Sequence, residues 1–406
     1  MNNKMSVPSG STVTLDIVNG DLMVGRNSVI KGTGTPPKLK VLGTVYCEGN
    51  NAFQCNLSAE NLEAEDDVTV HGNLEIENEV EVEDGRLEIH GKMTAKQVNV
   101  DEALVVGEDL VSEEIDVGGS LKVEGKVKAE DIDVGGSFRV KGEAEIIEIS
   151  VGGSLLIESK SNIRKLEVGG TAEVNGGKIS EIDVGGSFES KDQLEFESID
   201  VGGAVRLSNK SKGNDIDVGG SFTVDGDLNF EDIDVGGKVE VKGSGEGDEI
   251  NVGGTLYVDG SLKLSGTLEV GGKIEVGGEV SAKSIEVGGR LRAKKATAED
   301  SLEVGGSLET VEGTRASFVE IGNRGEVRGP IRADQVEIGK DAQVENIFGR
   351  RILLRKGACV ENIYGENVTI ESHCRINGEV QYTNELRIGD NVSLAKAPQK
   401  VEKIPC

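Results

Sequence analysis

The triplet Val-Gly-Gly recurs through the middle of this 406-residue chain at a nearly constant interval. It begins at Val117, Val134, Val151, Val168, Val184, Val201, Val218, Val235, Val252, Val270, Val287 and Val304, at steps of 16 to 18 residues, with one extra copy at Val276 inside a repeat. A tandem period this short cannot enclose a core of its own, so each unit must lean on its neighbours. Within one unit, Ile115 to Ile132, apolar residues fall in pairs: Ile115 and Val117, Leu121 and Val123, Val127 and Ala129. Gly118-Gly119-Ser120, Glu124-Gly125-Lys126 and Glu130-Asp131 separate them. Alternation at period two marks strands with one buried face, and the three- and four-residue spacings of an amphipathic helix are absent. Three short strands per 17 residues predict an all-β fold, a three-faced parallel β-helix whose coils stack at about 4.8 Å. The Gly pairs are expected to turn the chain at positive φ, where a Cβ would clash. Pro is missing from residue 38 to residue 329, as a chain whose amides all join a ladder requires.

The inward positions are nearly all Val, Ile, Leu or Ala. Aromatics make up 3% of the chain and Trp is absent, which suits a narrow aliphatic core. The alternation continues past the Gly-Gly block at Ile321, Ile338, Leu354, Ile370 and Ile388. Two units there are close copies, with Asn346 and Phe348 placed to stack on Asn362 and Tyr364. Upstream, Val68/Val70, Leu74/Ile76 and Val80/Val82 keep the pattern with less regular corners. The organisation expected is an irregular N-terminal segment (1–60) with room for a cap and the first coils, then a regular β-helix with Val-Gly-Gly corners (61–317). A continuing β-helix with 16–18-residue coils (318–395) and a C-terminal tail (396–406) follow. About 22 coils would make a rod on the order of 100 Å.

The formal net charge is −29, which argues against nucleic acid and anionic membranes as partners. No apolar run reaches transmembrane length, and no signal-peptide core follows the start, so no integral membrane segment and a cytoplasmic location are expected. The five cysteines, Cys47, Cys55, Cys359, Cys374 and Cys406, form no Cys-x-x-Cys pair and fit a reducing compartment. Cys374 follows the inward pattern.

Enzymatic chemistry finds little purchase, and no catalytic residue or cofactor is expected. Left-handed β-helix acyltransferases need a catalytic His in a cleft, and β-helical carbonic anhydrases need three His on zinc. This chain has three His in all, His71, His90 and His373. His71 and His90 each precede a Gly and are placed to stack outward on adjacent coils. Two imidazoles do not complete a zinc site and read as a solvated pair. The Gly-Gly corners are not phosphate loops, because no helix follows them. Carboxylate pairs abound, yet a 17-residue coil has no room for the loops that wall a polysaccharide cleft.

One charged constellation stands out. The outward residue between the two inward positions of the first strand reads Asp116, Asp133, Ser150, Glu167, Asp183, Asp200, Asp217, Asp234, Asn251, Glu269, Glu286, Glu303, Glu320 and Glu337. Twelve of these fourteen are acidic, so a carboxylate stripe is expected. As a solvated face it would block lateral association; the alternative is a docking rail for basic proteins or divalent cations. The matching second-strand positions, such as Lys122, Arg139, Leu156 and Glu173, are mixed. The last apolar alternation, Leu386, Ile388, Val392 and Leu394, is the candidate self-association site, because the polar tail beyond it is a poor cap for an open strand edge.

Units such as Ile115-Asp116-Val117-Gly118-Gly119-Ser120-Leu121-Lys122-Val123, and the later Val336-Glu337-Ile338-Gly339-Lys340, resemble the bactofilins, the polymer-forming cytoskeletal family. The resemblance covers roughly residues 60–395. It implies a right-handed β-helix that assembles end to end into nonpolar filaments without nucleotide. The chain departs from the family in its larger number of coils and in showing no N-terminal membrane-targeting stretch. The function expected is therefore non-enzymatic and structural, with the chain as its own partner in a homopolymer or tail-to-tail dimer. A monomeric scaffold binding a basic protein or divalent cations along the acidic stripe is the alternative, and a β-helix enzyme is the third reading.

Overall fold

A computed structural model describes residues 4–405; Cys406 lies outside the described residues. The chain divides into two compact units, Met1–Gly202 and Gly203–Cys406. Each is a parallel β-solenoid, and no helix occurs among the described residues. Strands repeat three to a turn, and each pairs with its equivalent about 17 residues later. In the first unit, Glu114–Val117 pairs in parallel with residues 131–134, Ser120–Val123 with Ser137–Val140, and residues 127–129 with 144–146. In the second unit, Asp215–Val218 pairs with Asp232–Val235, and that strand with Glu249–Val252.

The register aligns like with like, which is what a repeat at fixed spacing demands. Ile115, Ile132, Ile149, Leu166 and Ile182 form one inward column, and Val117, Val134, Val151, Val168 and Val184 form the next. All ten are buried. Each such side chain contributes roughly 1.5–3 kcal/mol of apolar transfer. Among the described residues no buried side-chain polar atom lacks a hydrogen-bond partner. These two columns are therefore buried and aliphatic from turn to turn.

The corners differ from expectation in a way that matters. The Val-Gly-Gly glycines are not among the residues at positive φ; those are Gly176, Gly177, Gly226 and others elsewhere. What requires glycine here is close approach of one turn to the next. A Cβ on Gly135 would lie 2.3 Å from the Gly118 carbonyl oxygen, and one on Gly136 would lie 2.4 Å from that of Gly119. The hydrogen-bond ladder runs straight through these corners, with Gly135 N–H donating to Val117 O at 2.9 Å and Gly136 N–H to Gly119 O at 2.9 Å. Corner stacks on corner, so every added side chain would meet a carbonyl below it.

A second difference concerns the third face. The third strand of one turn and the first of the next often fuse into one long bent strand, as in Val127–Val134, Ala144–Val151, Ser161–Val168 and Gly177–Val184. The bend residues, Glu130-Asp131 and their equivalents Ile147-Glu148, Arg164-Lys165 and Ser180-Glu181, turn the chain without breaking the ladder.

The segment up to residue 60, expected to be irregular, consists of stacked strands with in-register partners from Lys4–Val7 onward. Its irregularity is a turn at residues 32–37, where Thr33 and Lys38 form an isolated antiparallel bridge. The two copied units in the second half pair as their spacing implies. Asn362 Nδ2 donates to Asn346 Oδ1 at 2.8 Å, and the Phe348 and Tyr364 rings stack at 4.8 Å and 13°. Asn362 Oδ1 in turn accepts the Glu379 N–H at 2.9 Å, so the amide ladder holds the bend of the next turn.

Candidate functional site

Three surfaces follow from this frame: the terminal turn, the acidic stripe and a groove that the sequence did not announce. The terminal turn of the second unit carries the self-association candidates. Val380–Ile388 pairs with the preceding turn through Ile363↔Val380, Val368↔Leu386 and Ile370↔Ile388. Leu394 pairs back to Ile376. Among the described residues no strand pairs with the other edge of Glu385–Ile388 or of Ser393–Leu394. Burial falls accordingly: Ile370 is 1% exposed, whereas Ile388, next in the same column, is 45% exposed. Leu386, Val392 and Leu394 are half-buried.

The tail does more than the sequence suggests. Gln399–Lys400 adds a strand to the third face, pairing with Gln381 and Tyr382, and Val401 N–H donates to Tyr382 O at 2.9 Å. Lys396 Nζ holds Glu379 at 2.9 Å. The inward column of that face runs Ala333, Gly349, Gly365, Tyr382 and then Lys400, so it ends in a cation. One face is thus closed by a polar strand and two are left with aliphatic ends. At the other terminus, among the described residues, the strands Lys4–Val7, Thr12–Thr14 and Ile17–Val18 each pair only with the turn that follows, and Met5, in an inward column with Leu22, is 39% exposed.

The acidic stripe forms as a continuous register column within each unit. In the first unit Asp116, Asp133, Ser150, Glu167, Asp183 and Asp200 are successive partners. In the second, Asp217, Asp234, Asn251, Glu269, Glu286, Glu303, Glu320 and Glu337 follow one another likewise. Among the described residues Glu167 pairs with Lys165 and Glu337 with Arg355, while Asp133, Asp183 and Asp200 carry no ion pair. The crowding is felt at Glu320, whose carboxyl is pushed up by partial burial and then by Glu337 and Glu303. The second face is built differently. Glu124 there is held between Lys122 and Lys141 and its carboxyl falls to about 2. Arg139 with Glu158 and Lys242 with Asp225 repeat the arrangement. The second face neutralises these charges locally, whereas the stripe leaves Asp133, Asp183 and Asp200 without an ion pair among the described residues.

The groove lies in the first unit, along the bend between the third and first strands. Its volume is about 990 Å³. Val111 and Ile147 stand 42% and 43% exposed on its walls, among Lys96, Glu113, Lys128 and Arg164. The sequence signal for it was weak, because it arises from the fused strands and not from a motif.

Three of the thiols are held in their protonated form by burial. Cys47 and Cys374 are buried and their thiols pushed up by burial; Cys55 is pushed up to about 11. Among the described residues no group of three or more His, Cys, Asp or Glu is arranged around a common metal position, and no helix is long and apolar enough to cross a membrane. Compared with protein-family models, curated proteins and solved structures, the chain finds no match.

Proposed function

We propose that this chain is a non-enzymatic structural protein that associates end to end through its terminal turns. The observation that carries the reading is the free edge of Glu385–Ile388, where an inward column buried everywhere else ends in the exposed Ile388. An unpaired strand edge over an aliphatic core is a template for a further strand, and the repeat makes the missing turn the natural occupant. Met5 and its neighbours offer a second such edge at the other terminus, so association at both produces filaments and association at one produces dimers. The corner sequences that resemble the bactofilins support the same role, and the free thiols suit a cytoplasmic one. The acidic stripe then keeps assembled rods apart laterally, since like charges on facing surfaces repel. The alternative, a monomer that docks basic partners on the stripe, is favoured by the unpaired Asp133, Asp183 and Asp200.

The deciding experiment is sedimentation velocity with negative-stain microscopy at micromolar concentration and physiological salt. Dimers or filaments are expected for the natural chain. Ile388→Lys with Val392→Lys places like charges at the joint and should give shorter, still folded species. A monodisperse monomer in the natural chain overturns the proposal.

A further inference from the structure

His71 and His90 sit one above the other on adjacent turns of the first unit, both exposed. Their Nδ1 atoms are 3.2 Å apart, and the rings meet edge to face with centroids at 4.6 Å. Glu88, two residues before His90 on the same outward face, places Oε1 3.3 Å from His90 Nε2. A carboxylate can only accept, so this contact holds a proton on Nε2 of His90 and leaves its Nδ1 lone pair directed at His71. That is how a carboxylate orients a metal-binding imidazole. Two nitrogens each about 2.0–2.1 Å from one ion are separated by roughly 2.9–3.4 Å for ligand angles between right-angled and tetrahedral. The observed separation falls in that interval without any movement of the backbone.

We infer that His71 and His90 together chelate one divalent transition metal ion of the imidazole-preferring class, through both Nδ1 atoms, with Glu88 as the positioning residue. Water fills the remaining positions, since the pair faces solvent. With both rings in their neutral form the contact with Glu88 makes His71 Nδ1–H the donor to His90 Nδ1 in the metal-free protein, and metal binding moves that proton to His71 Nε2. Two protein ligands on neighbouring strands bind more weakly than a closed four-ligand site, and affinity follows the order in which nickel and copper exceed cobalt and manganese. The ion would join two successive turns through their side chains, independently of the terminal turns that the proposed assembly uses.

The test uses the full chain and Ni²⁺ in isothermal titration calorimetry, with circular dichroism to check each variant. One ion per chain is expected, with a rise in melting temperature as the metal is added. His71→Ala and His90→Ala should each weaken binding about tenfold or more, and the double variant should lose little beyond either single one. Glu88→Gln should weaken it several-fold without abolishing it, and His373→Ala should leave it unchanged. If the double variant binds Ni²⁺ as tightly as the natural chain, or if only one of the two His matters, the chelate does not exist. Should an alanine variant lose its fold, His71→Asn or His90→Asn keeps a polar side chain at the same exposed position and is read by the same criterion. Either result leaves the sedimentation of the metal-free protein, and so the assembly proposal, untouched.

Discussion

Two stretches of the second unit obey the same sequence rule and end in different states. Ile233 and Val235 alternate with charged residues as Leu386 and Ile388 do. The first two are 2% and 0% exposed, between Ile216/Val218 on one side and Ile250/Val252 on the other. Leu386 and Ile388 have Val368 and Ile370 beneath them and no strand above among the described residues. Burial in a solenoid is a property of the neighbours and not of the residue. An equivalent inward pair is core in one turn and an exposed edge in another.

The comparison predicts its own sharpest test. Val235→Asp would bury an unpaired carboxylate between two turns and should cost on the order of 4 kcal/mol, read as a drop in denaturation midpoint. Ile388→Asp sits in an equivalent inward column but meets water, so it should cost less than about 1 kcal/mol of fold stability while reducing association. Similar losses from both would sink the distinction between interior and terminal turns.

The corner is the next place to break the pattern. A Cβ on Gly254 would lie 2.2 Å from the Gly237 carbonyl oxygen. Gly254→Ala therefore forces two turns apart and should cost about 2 kcal/mol, as overpacking against backbone does. An unchanged melting temperature would show that the corners have slack and that glycine is there for another reason.

The smallest expected effect concerns charge and has a definite sign. Glu320 titrates above its ordinary value because burial and the acids Glu337 and Glu303 disfavour its ionised form. A carboxyl whose folded-state value is raised weakens the fold above that value. The penalty disappears as pH falls through it toward the unfolded-state value. Glu320→Gln should stabilise the protein at neutral pH by a fraction of a kcal/mol and make no difference near pH 3, measured as paired melting curves. A gain that persists at low pH would point to packing and not to charge.

Much of this was legible in the residues because a fixed period converts sequence neighbours into spatial ones. The inward columns, the Asn346–Asn362 amide bond, the stacked Phe348 and Tyr364 and the His71–His90 contact all follow once residues 16 to 19 apart are placed one above another. The acidic column was readable for the same reason. Other features were not. The glycine pairs looked like a φ requirement and proved to be a clearance requirement, because carbonyl positions one turn below are not encoded in the pair itself. The tail looked polar and passive, yet Gln399–Lys400 pairs with Gln381 and Tyr382 and closes one face.

The sequence by itself determined the strand pattern, the three faces, the inward and outward sides and the spacing between turns. Alternation and period are local properties, and local sterics and burial enforce them. Only the tertiary structure decided which aliphatics are left at an edge, which carboxylates find a cation, and how far apart two imidazole nitrogens stand. Those depend on what the neighbouring turn presents at a distance of a few ångströms, and a one-dimensional pattern fixes which residues meet without fixing how their atoms are aimed.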